Sequence, residues 1–482
     1  MCSISGFIKT PKQTISKSLL TNILSNASSR GRDSFGMFSV RYNLQSNNNT
    51  FVIGTEQKTV DKEKIVSEQY IKEIITKLDE NDDHIGIANH RAEPTTEFVV
   101  DKKERDVQPF SDKSKRFFVA HNGVIANDKE LKEKYNLETE TNIDTAVIPE
   151  LLAKKLDGVT ENTFEKIKEI FQKEIKGSYA IAIYDVENPD DLILLNNYKP
   201  LALLRGTDTA YFTSLSSFFN NKTNGYQGVT YIPAYSATKI SITDNGLTYR
   251  TQKLRLEKEG KKKCLVVCSG GLDSSVVATY MKEVKGYDIT LLHFKYKCRA
   301  EEQEIKAVKD VAEALAMEVL FVETDIFKSV IKHSPLLDDK TEVKKGDAGV
   351  EFAHEWIPAR NLIMLSMATG IAEAQGFDVI ALGNNLEESG AYPDNEEIFI
   401  EKFAEILPFA VNVDKEVKIE MPVGNLMKHE IVKLGIDLKA PLDKTWSCYE
   451  AGEKHCGECG PCRMRKVGFQ MNNTPEVIDY EK

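Results

Sequence analysis

The sequence of 482 residues has no apolar run that approaches the roughly 18 residues of a transmembrane helix. It also lacks the basic stretch and following apolar stretch of a secretory signal. A positive net charge is absent, since the formal net charge is -11. This argues against sequence-independent nucleic-acid binding, which needs a positive surface. A local basic patch is still compatible with a negative net charge. We therefore expect a cytoplasmic protein without a membrane partner.

Cysteine is scarce, with eight residues in the whole chain, and half of them lie close together near the C-terminus. Such clustering is typical of metal binding in a reducing compartment, whereas a disulfide framework is spread along a small secreted chain. Four thiolates fill a tetrahedral Zn²⁺ site at about 2.3 Å and leave no position for substrate. We predict a structural zinc site, with an iron–sulfur cluster as the alternative and His455 as a bystander. The predicted ligands are Cys448, Cys456, Cys459 and Cys462.

The chain is too long for one ordinary core and suits two domains of roughly 200 to 250 residues. A charged connector at 251–263 marks the predicted boundary, which gives domains 2–250 and 264–482. The first domain has strands in runs, interrupted by polar helices, and the second has the β-α-β-α-β order of a doubly wound parallel sheet. Predicted strands are 4–8, 117–120, 179–184, 192–195, 239–242, 264–268, 289–294, 319–322 and 379–382; predicted helices are 63–78, 164–175, 274–284, 301–316 and 359–375, with a hairpin tip or loop at 43–50.

A glycine-containing loop, Ser269-Gly-Gly-Leu-Asp-Ser274, lies where the first strand of the second domain turns into a helix. Glycines let backbone N–H groups approach an anion, and the helix N-terminus adds partial positive charge. Ser274 and Ser275 can donate hydroxyl hydrogen bonds, and Asp273 can help to hold Mg²⁺. No Gly-Lys-Ser/Thr follows, so the loop is not one that transfers a γ-phosphate. The predicted ATP-binding residues are Ser269, Gly270, Gly271, Leu272, Asp273, Ser274 and Ser275.

This loop resembles that of the N-type ATP pyrophosphatases, which adenylate a substrate and release pyrophosphate. The motifs that follow it resemble those of 7-cyano-7-deazaguanine synthases over nearly all of 264–470. The resemblance implies ATP, Mg²⁺ and zinc, and a 7-deazaguanine substrate. The motifs are 293–299, 357–361, 383–394 and 445–448; the substrate-binding residues that the resemblance implies are Tyr296, Arg299, Arg360, Asn361, Asn384, Glu387, Tyr392 and Asp394.

The third motif departs from the family pattern Asp-x-Ser-Gly-Tyr-Pro-Asp-Cys. Glu387 replaces its first Asp, Ala391 is an additional residue, and Asn395 stands where Cys is expected. These departures concern the expected substrate pocket, so they bear on the identity of substrate or product more than on the fold or on adenylation.

Cys2 becomes the first residue if Met1 is removed, and its α-amine, with a reference pKa near 7.7 to 8, can then activate its own thiol. On its own a cysteine at this position indicates little. The surrounding motifs resemble class II glutamine amidotransferases over roughly 2–245, a family of N-terminal nucleophile hydrolases with an αββα fold. The motifs are 1–7, 30–36 with Arg32 in place of Pro, 89–95, 120–123, 142–145, 177–180 and 199–201.

The resemblance assigns roles that the chemistry of each side chain supports. Cys2 is the nucleophile, and Arg91 pairs bidentately with the glutamine carboxylate. Asp144 supplies a counter-charge for the glutamine amine. The Asn122 side chain and the Gly123 N–H stabilise the oxyanion of the tetrahedral intermediate.

Together the two halves predict an ATP-dependent C–N ligase that frees ammonia from L-glutamine and adds it to an activated 7-deazaguanine. The related fusions imply two products, a nitrile from the acid or an archaeosine-type formamidine from the nitrile, and three substrate forms: free base, tRNA or DNA. One alternative, an asparagine synthetase-like ligase, leaves the cysteine cluster unexplained. Another is a defence-type module that conjugates a deazaguanine to a protein amine, and a third is a scaffold with degenerate sites. The sequence leaves homo-oligomerisation open.

Overall fold

The computed structural model describes residues 2–11, 13–43, 51–92, 102–220, 225–256, 259–331, 334–337, 356–389, 392–412 and 415–481. The chain divides into two compact units, Met1–Glu257 and Lys258–Lys482. The predicted connector at 251–263 contains this division, but both of its ends lie in strands rather than in a linker. Within the described ranges, no helix combines the length and the apolar character that a membrane span requires.

The first unit contains two antiparallel sheets. Every predicted strand of this unit is present, most of them longer than expected. Residues 44–50 of the predicted loop lie outside the described residues, and the strands on either side of them pair with each other. The strands are β1 (Ser3–Lys9), β2 (Ser34–Asn43), β3 (Phe51–Thr59), β4 (Ile85–Arg91), β5 (Phe110–Ser111), β6 (Phe117–Ile125), β7 (Gly177–Asp185), β8 (Asp191–Asn196), β9 (Ala202–Leu204), β10 (Thr209–Thr213), β11 (Val229–Tyr231), β12 (Ser236–Thr243) and β13 (Gly246–Lys253).

The helices of this unit cover the outer faces of the two sheets. The prediction of a single helix at 63–78 is wrong, because Val66 and Ser67 separate two helices. The Ser67 hydroxyl caps the second helix by accepting a 3.2 Å hydrogen bond from the Tyr70 N–H. A short 3₁₀ turn, Asp144–Ala146, precedes α5. The helices are α1 (Lys17–Ala27), α2 (Lys62–Ile65), α3 (Glu68–Glu80), α4 (Asp128–Tyr135), α5 (Val147–Lys155) and α6 (Thr163–Glu174).

Alternation along the strands builds a four-layer sandwich. In the described residues one sheet has the order β11-β9-β10-β1-β4-β2-β3 and the other β13-β12-β8-β7-β6-β5. On β1, Ile4 and Ile8 face the second sheet, whereas Phe7 faces α1 and α3, because successive side chains point to opposite faces. Phe117 and Val119 of β6 pack against α5 and α6 in the same way. This confirms the predicted αββα arrangement.

The second unit is built on a parallel sheet. The short strand β18 was not predicted, because a three-residue Lys-Ile-Glu segment carries no strand pattern. Its strands are β14 (Lys263–Val267), β15 (Asp288–Lys295), β16 (Glu318–Glu323), β17 (Val379–Ala381) and β18 (Lys418–Glu420); its helices are α7 (Leu272–Glu283), α8 (Glu301–Leu315), α9 (Ile326–Val330), α10 (Arg360–Gln375), α11 (Leu386–Ser389), α12 (Glu397–Ala410), α13 (Lys428–Asp437) and α14 (Gly460–Met471).

Helices cover both faces of this sheet, which confirms the doubly wound prediction. The described strands have the order β16-β15-β14-β17-β18, and all their pairings are parallel. Cys264 and Val266 of β14 pack with α7, α8 and α13, whereas Leu265 between them packs with α10 and α12. The strand order reverses between β14 and β17, and ligands of such sheets bind at the carboxyl ends of the strands beside this point.

Candidate active sites

Cys2 lies directly before β1, at the edge where β4 ends. The two strands are antiparallel with Ser3 opposite His90, so Cys2 and Arg91 adjoin each other. The Cys2 Sγ lies 3.9 Å from the carbonyl oxygen of Ala92. Burial raises the pKa of the Cys2 thiol, the positive charge of Arg91 opposes this, and the negative charge of Asp144 adds to it. A thiol with a raised pKa needs a base before it can attack a carbonyl carbon.

Arg91 is the last residue of β4, and its side chain is buried. Its Nη1 has no hydrogen-bond partner among the described residues. A buried guanidinium nitrogen without a partner is costly, and it fits a planar carboxylate ligand that accepts two parallel hydrogen bonds. Residues 93–95 of the predicted motif lie outside the described residues.

Asn122 and Gly123 lie on β6, and Ser214 connects Asn122 to β1. The Asn122 Nδ2 lies 3.5 Å from the Ser214 Oγ, and this hydroxyl accepts a 3.1 Å hydrogen bond from the Ile4 N–H. Gly123 has a φ of +151°, and a Cβ there would lie 1.8 Å from the carbonyl oxygen of Ser178. Only glycine fits at this position, while Ser214 carried no signal in the sequence.

Asp144 is held by backbone donors at the end of β6. Its Oδ2 accepts a 2.6 Å hydrogen bond from the Ile125 N–H, and its Oδ1 accepts one of 2.7 Å from the Thr145 N–H. The Thr145 Oγ1 lies 2.8 Å from Nδ1 of His121, whose pKa is lowered by burial, so that the imidazole is neutral. This oriented carboxylate keeps lone pairs available for a ligand ammonium group.

The loop after β14 turns directly into a helix, as its sequence predicts. Helix α7 begins at Leu272, two residues before the predicted start, so Asp273 and Ser274 lie in its first turn. Gly270 adopts a φ of +81°, which favours glycine. The Ser269 Oγ accepts a 3.2 Å hydrogen bond from the Gly271 N–H. In this structure the Ser274 hydroxyl donates to the Gly271 carbonyl at 3.3 Å, so the loop donors bond within the loop at the N-terminus of α7, a position that favours anions.

Asp273 has partners that the sequence did not reveal. Its carboxylate forms an ion pair with the ammonium group of Lys428, and it accepts a 3.1 Å hydrogen bond from the Asn385 amide. These three residues come from α7, from the segment after β17 and from the start of α13. The arrangement places a lysine beside the loop, where it can also contact a phosphate oxygen.

A cavity of about 280 Å³ opens at this loop, at the carboxyl ends of β14 and β15. It also reaches Lys428, Trp446 and Glu304, which sequence reasoning did not assign to the site. The predicted residues that line it are Ser269, Gly271, Leu272, Asp273, Ser274, Tyr296, Arg299, Arg360, Asn361 and Asn384, together with Cys448 of the cysteine cluster. Gly270, Ser275, Glu387, Tyr392 and Asp394 do not line its described part.

Four of these remaining residues have contacts that link them to other parts of the structure. The Asp394 carboxylate accepts hydrogen bonds from the Asn361 N–H at 3.0 Å and from its amide at 3.3 Å, so it orients a lining residue. Glu387 accepts a 3.3 Å hydrogen bond from the Lys428 N–H. Tyr392 stacks on Trp356 with ring centroids 6.1 Å apart. The fully buried Ser275 hydroxyl donates to the carbonyl of Gly271 at 2.8 Å and is thereby used within the helix.

Four thiolates at the C-terminus are arranged to hold a metal ion. The Sγ atoms of Cys448, Cys456, Cys459 and Cys462 all lie within 4.8 Å of one another. The Sγ atoms of Cys448 and Cys459 are 3.9 Å apart, close to the sulfur–sulfur spacing of a tetrahedral site with bonds of about 2.3 Å. Backbone N–H groups donate to two of the sulfurs at 3.3 to 3.4 Å. The residues therefore fit a Cys₄ metal site.

His455 and Arg465 support this cluster rather than joining it. The His455 Nε2 accepts a 2.9 Å hydrogen bond from the Ser447 N–H, so that nitrogen is not free for a metal. Arg465, 1% exposed, donates to the Thr445 hydroxyl at 2.6 Å and to the Leu442 carbonyl at 2.8 Å. These bonds fix helix α14, and with it the last cysteine, against the segment that precedes Cys448.

Comparison with known families assigns both halves of the chain. Residues 95–221 match the family described as a glutamine amidotransferase domain, and residues 263–473 match the family described as queuosine biosynthesis protein QueC. The two domains thus define an enzyme that joins a glutamine amidotransferase domain to an ATP-using domain of the ligase type.

Relatives extend over the whole chain. It is 44% identical to 7-cyano-7-deazaguanine synthase 2 of Sulfurisphaera tokodaii and 45% identical to the 7-cyano-7-deazaguanine synthase of Saccharolobus solfataricus, with 100% of each chain covered. A synthase of Nitratiruptor sp. is 37% identical over 45% of this chain and 99% of its own length. The chain therefore belongs to the 7-cyano-7-deazaguanine synthase family.

Proposed function

We propose that this enzyme makes 7-cyano-7-deazaguanine from the 7-carboxy acid, with glutamine as the nitrogen donor and ATP as the activating reagent. One observation carries the proposal: the same cavity is lined by loop residues 269 and 271–274 and by the pocket residues Tyr296, Arg360 and Asn361. A base bound by these residues lies next to the groups that hold a triphosphate. The full-length relatives that bear the synthase name support the same product.

The first half-reaction takes place at Cys2. Arg91 binds the glutamine carboxylate and Asp144 its ammonium group. The Cys2 thiolate attacks the side-chain carbonyl, and Asn122 and Gly123 stabilise the oxyanion that forms. The C–N bond then breaks, the nitrogen takes a proton and leaves as ammonia, and water cleaves the thioester to glutamate.

The second half-reaction takes place at the cavity of the second unit. A carboxylate oxygen of the substrate attacks the α-phosphorus of ATP, and pyrophosphate leaves. Ammonia displaces AMP from the acyl carbon to give the amide. A second ATP adenylates the amide oxygen, and loss of AMP and of N–H protons gives the nitrile. Lys428 and the loop donors Ser269 and Ser274 stabilise the charge of the departing pyrophosphate.

Metals complete the proposed sites. We assign Zn²⁺ to the four cysteines, because a d¹⁰ ion in a closed tetrahedral thiolate site serves folding rather than chemistry. Mg²⁺ would be supplied with ATP and would offset the negative charge of its phosphates. Asp273 would help to hold it, in exchange for part of its ion pair with Lys428.

The proposal commits to the free acid as substrate, and mass spectrometry tests it. Purified enzyme receives ATP, glutamine labelled with ¹⁵N in the side-chain amide, and the 7-carboxy base; we expect labelled nitrile, glutamate and AMP. Parallel reactions contain the free nitrile, or tRNA or DNA that carries it. A labelled formamidine in one of these, with no nitrile made from the acid, would move the assignment to the archaeosine-type reaction. Release of neither glutamate nor AMP in any reaction would refute the proposal.

A further inference from the structure

Glu304 lies in the cavity although none of the roles above uses it. It belongs to the first turn of α8, and its side chain lines the cavity beside the loop. A Cβ on Gly270 would lie 2.9 Å from the carbonyl oxygen of Glu304, so the turn that carries this carboxylate packs directly against the pyrophosphate loop. The carboxylate is thereby held close to the place where a substrate is adenylated.

The groups around Glu304 leave its carboxylate as a proton acceptor. Its Oε2 accepts a hydrogen bond from the Cys298 Sγ at 3.6 Å. Burial raises the pKa of Glu304 to about 7, against the effects of Cys298 and of the Arg360 charge, while Glu301 on the same helix raises it further. Burial also raises the pKa values of Tyr296 and Cys298, so that both stay protonated near neutral pH.

The other candidate bases of the cavity are less suited to take a proton. The Nδ1 of His293 lies 2.9 Å from the carbonyl oxygen of Cys268, and its Nε2 has no hydrogen-bond partner among the described residues, but burial lowers the pKa of the ring and so makes it a weaker base. Burial raises the pKa of the Cys268 thiol, which keeps it neutral. The Asp273 carboxylate is paired with Lys428. Glu304 is therefore the carboxylate of the described lining that has no cationic hydrogen-bond partner.

We propose that Glu304 is the general base that removes N–H protons while the incoming nitrogen becomes first an amide and then a nitrile. This inference depends on the proposed function. When ammonia attacks the acyl adenylate, a C–N bond forms, the C–O bond to AMP breaks, and Glu304 takes a proton from the nitrogen. In the second stage the adenylated amide has two N–H bonds, and Glu304 takes the first proton to leave a neutral imidate. The remaining N–H bond then breaks towards Glu304, its electron pair completes the C≡N bond, and AMP leaves with the C–O electrons. Water takes the proton from Glu304 after each of these transfers.

Single-turnover reactions of the acid with ATP and ammonium chloride separate the steps, because adenylation of a carboxylate transfers no proton. In the Glu304→Gln protein we expect pyrophosphate release within about twofold of wild type and amide formation lowered about 10²- to 10⁴-fold, the usual contribution of a general base. At a constant concentration of free NH₃, set by adjusting the total ammonium chloride at each pH, wild-type amide formation should fall as the pH drops below about 7, since a protonated carboxyl cannot accept a proton. This acid limb should be absent in Glu304→Gln and retained in Glu304→Asp, with partial activity.

Glu302→Gln is the matched control, because Glu302 lies on the same turn of α8 with an exposed side chain. It should behave as wild type. Wild-type rates of amide and nitrile formation in Glu304→Gln would overturn the inference, and so would equal losses of pyrophosphate release and amide formation, which indicate a role in binding. If wild type itself makes no amide, the proposed function fails instead. If Glu304→Gln does not fold, a wild-type rate of amide formation that stays constant between pH 6 and 8 at a constant concentration of free NH₃ overturns the inference.

Discussion

The backbone N–H of Trp446 donates a 2.8 Å hydrogen bond to the carbonyl of Gly270, in the middle of the pyrophosphate loop. The indole Nε1 of the same residue donates at 2.8 Å to the carbonyl of Cys448, the first cysteine of the cluster. Cys448 also lines the cavity. The segment that carries the proposed metal ligands therefore also holds the loop, and we expect that loss of a bound metal affects ATP use.

Cys459→Ser should lose the bound metal, and with it about 2 to 4 kcal/mol of folding stability, because a metal ligand is lost from a closed site. Pyrophosphate release from ATP in the reaction with the acid should fall about tenfold or more, since Trp446 no longer fixes Gly270. Metal content by mass spectrometry, thermal unfolding and pyrophosphate release measure the three effects. Cys264→Ala removes a buried thiol of β14 and should keep the metal; loss of metal there would show that any core damage empties the site.

Cys2→Ala should abolish nitrile formation with glutamine and leave formation with ammonium chloride within about twofold of wild type. The variant removes the attacking sulfur but leaves the cavity of the second unit unchanged. Glutamate release and nitrile yield with each nitrogen source give the answer. Equal glutamine use by variant and wild type would exclude Cys2 as the nucleophile.

Arg91→Lys should raise the KM for glutamine about 10- to 100-fold, because an ammonium group cannot form the two parallel hydrogen bonds of a guanidinium. The reaction with ammonium chloride should stay unchanged. Arg250→Lys is the control and should have the wild-type KM. Arg250 lies on β13 with an exposed side chain and forms an ion pair with Glu165. An unchanged KM in Arg91→Lys would remove this residue from the glutamine site.

Gly270→Ala should lower stability by about 1 to 3 kcal/mol and impair ATP binding, since the residue combines a φ of +81° with a Cβ position 2.9 Å from the Glu304 carbonyl oxygen. Gly286→Ala is the matched control. Its φ is +67°, but a Cβ there meets nothing within 4 Å, so it should carry only the backbone cost. Denaturant unfolding and the KM for ATP measure the difference, and equal behaviour of both variants would show that the loop can move aside.

Local patterns in the sequence predicted half of the described strands. Apolar runs predicted five of the thirteen strands of the first unit, namely β1, β6, β7, β8 and β12, and four of the five of the second, while the family motifs predicted the αββα layers. The helix at 63–78 was wrong because its apolar spacing continues across Val66 and Ser67, where the Ser67 cap starts a new helix. Strand β18 was missed because three residues with one apolar side chain do not form a pattern.

The site contacts that were missed join residues far apart in the chain. Lys428 pairs with Asp273 across 155 positions, and Ser214 connects Ile4 with Asn122 across 210 and 92 positions. No local spacing predicts such pairs, because the fold alone brings them together. Glu304 lies in the predicted helix 301–316, but an acidic first turn of a helix is so common that its position in the cavity could not be derived.

The turn at Gly286 lies between α7 and β15, at the end of the parallel sheet opposite the cavity, and it is exposed. The chemistry occupies the carboxyl ends of the strands, so this turn is structurally remote from it. A peptide tag or fluorophore attachment sequence placed there should leave turnover intact. It would provide an internal label that reports nucleotide-dependent structural changes and leaves both termini unmodified.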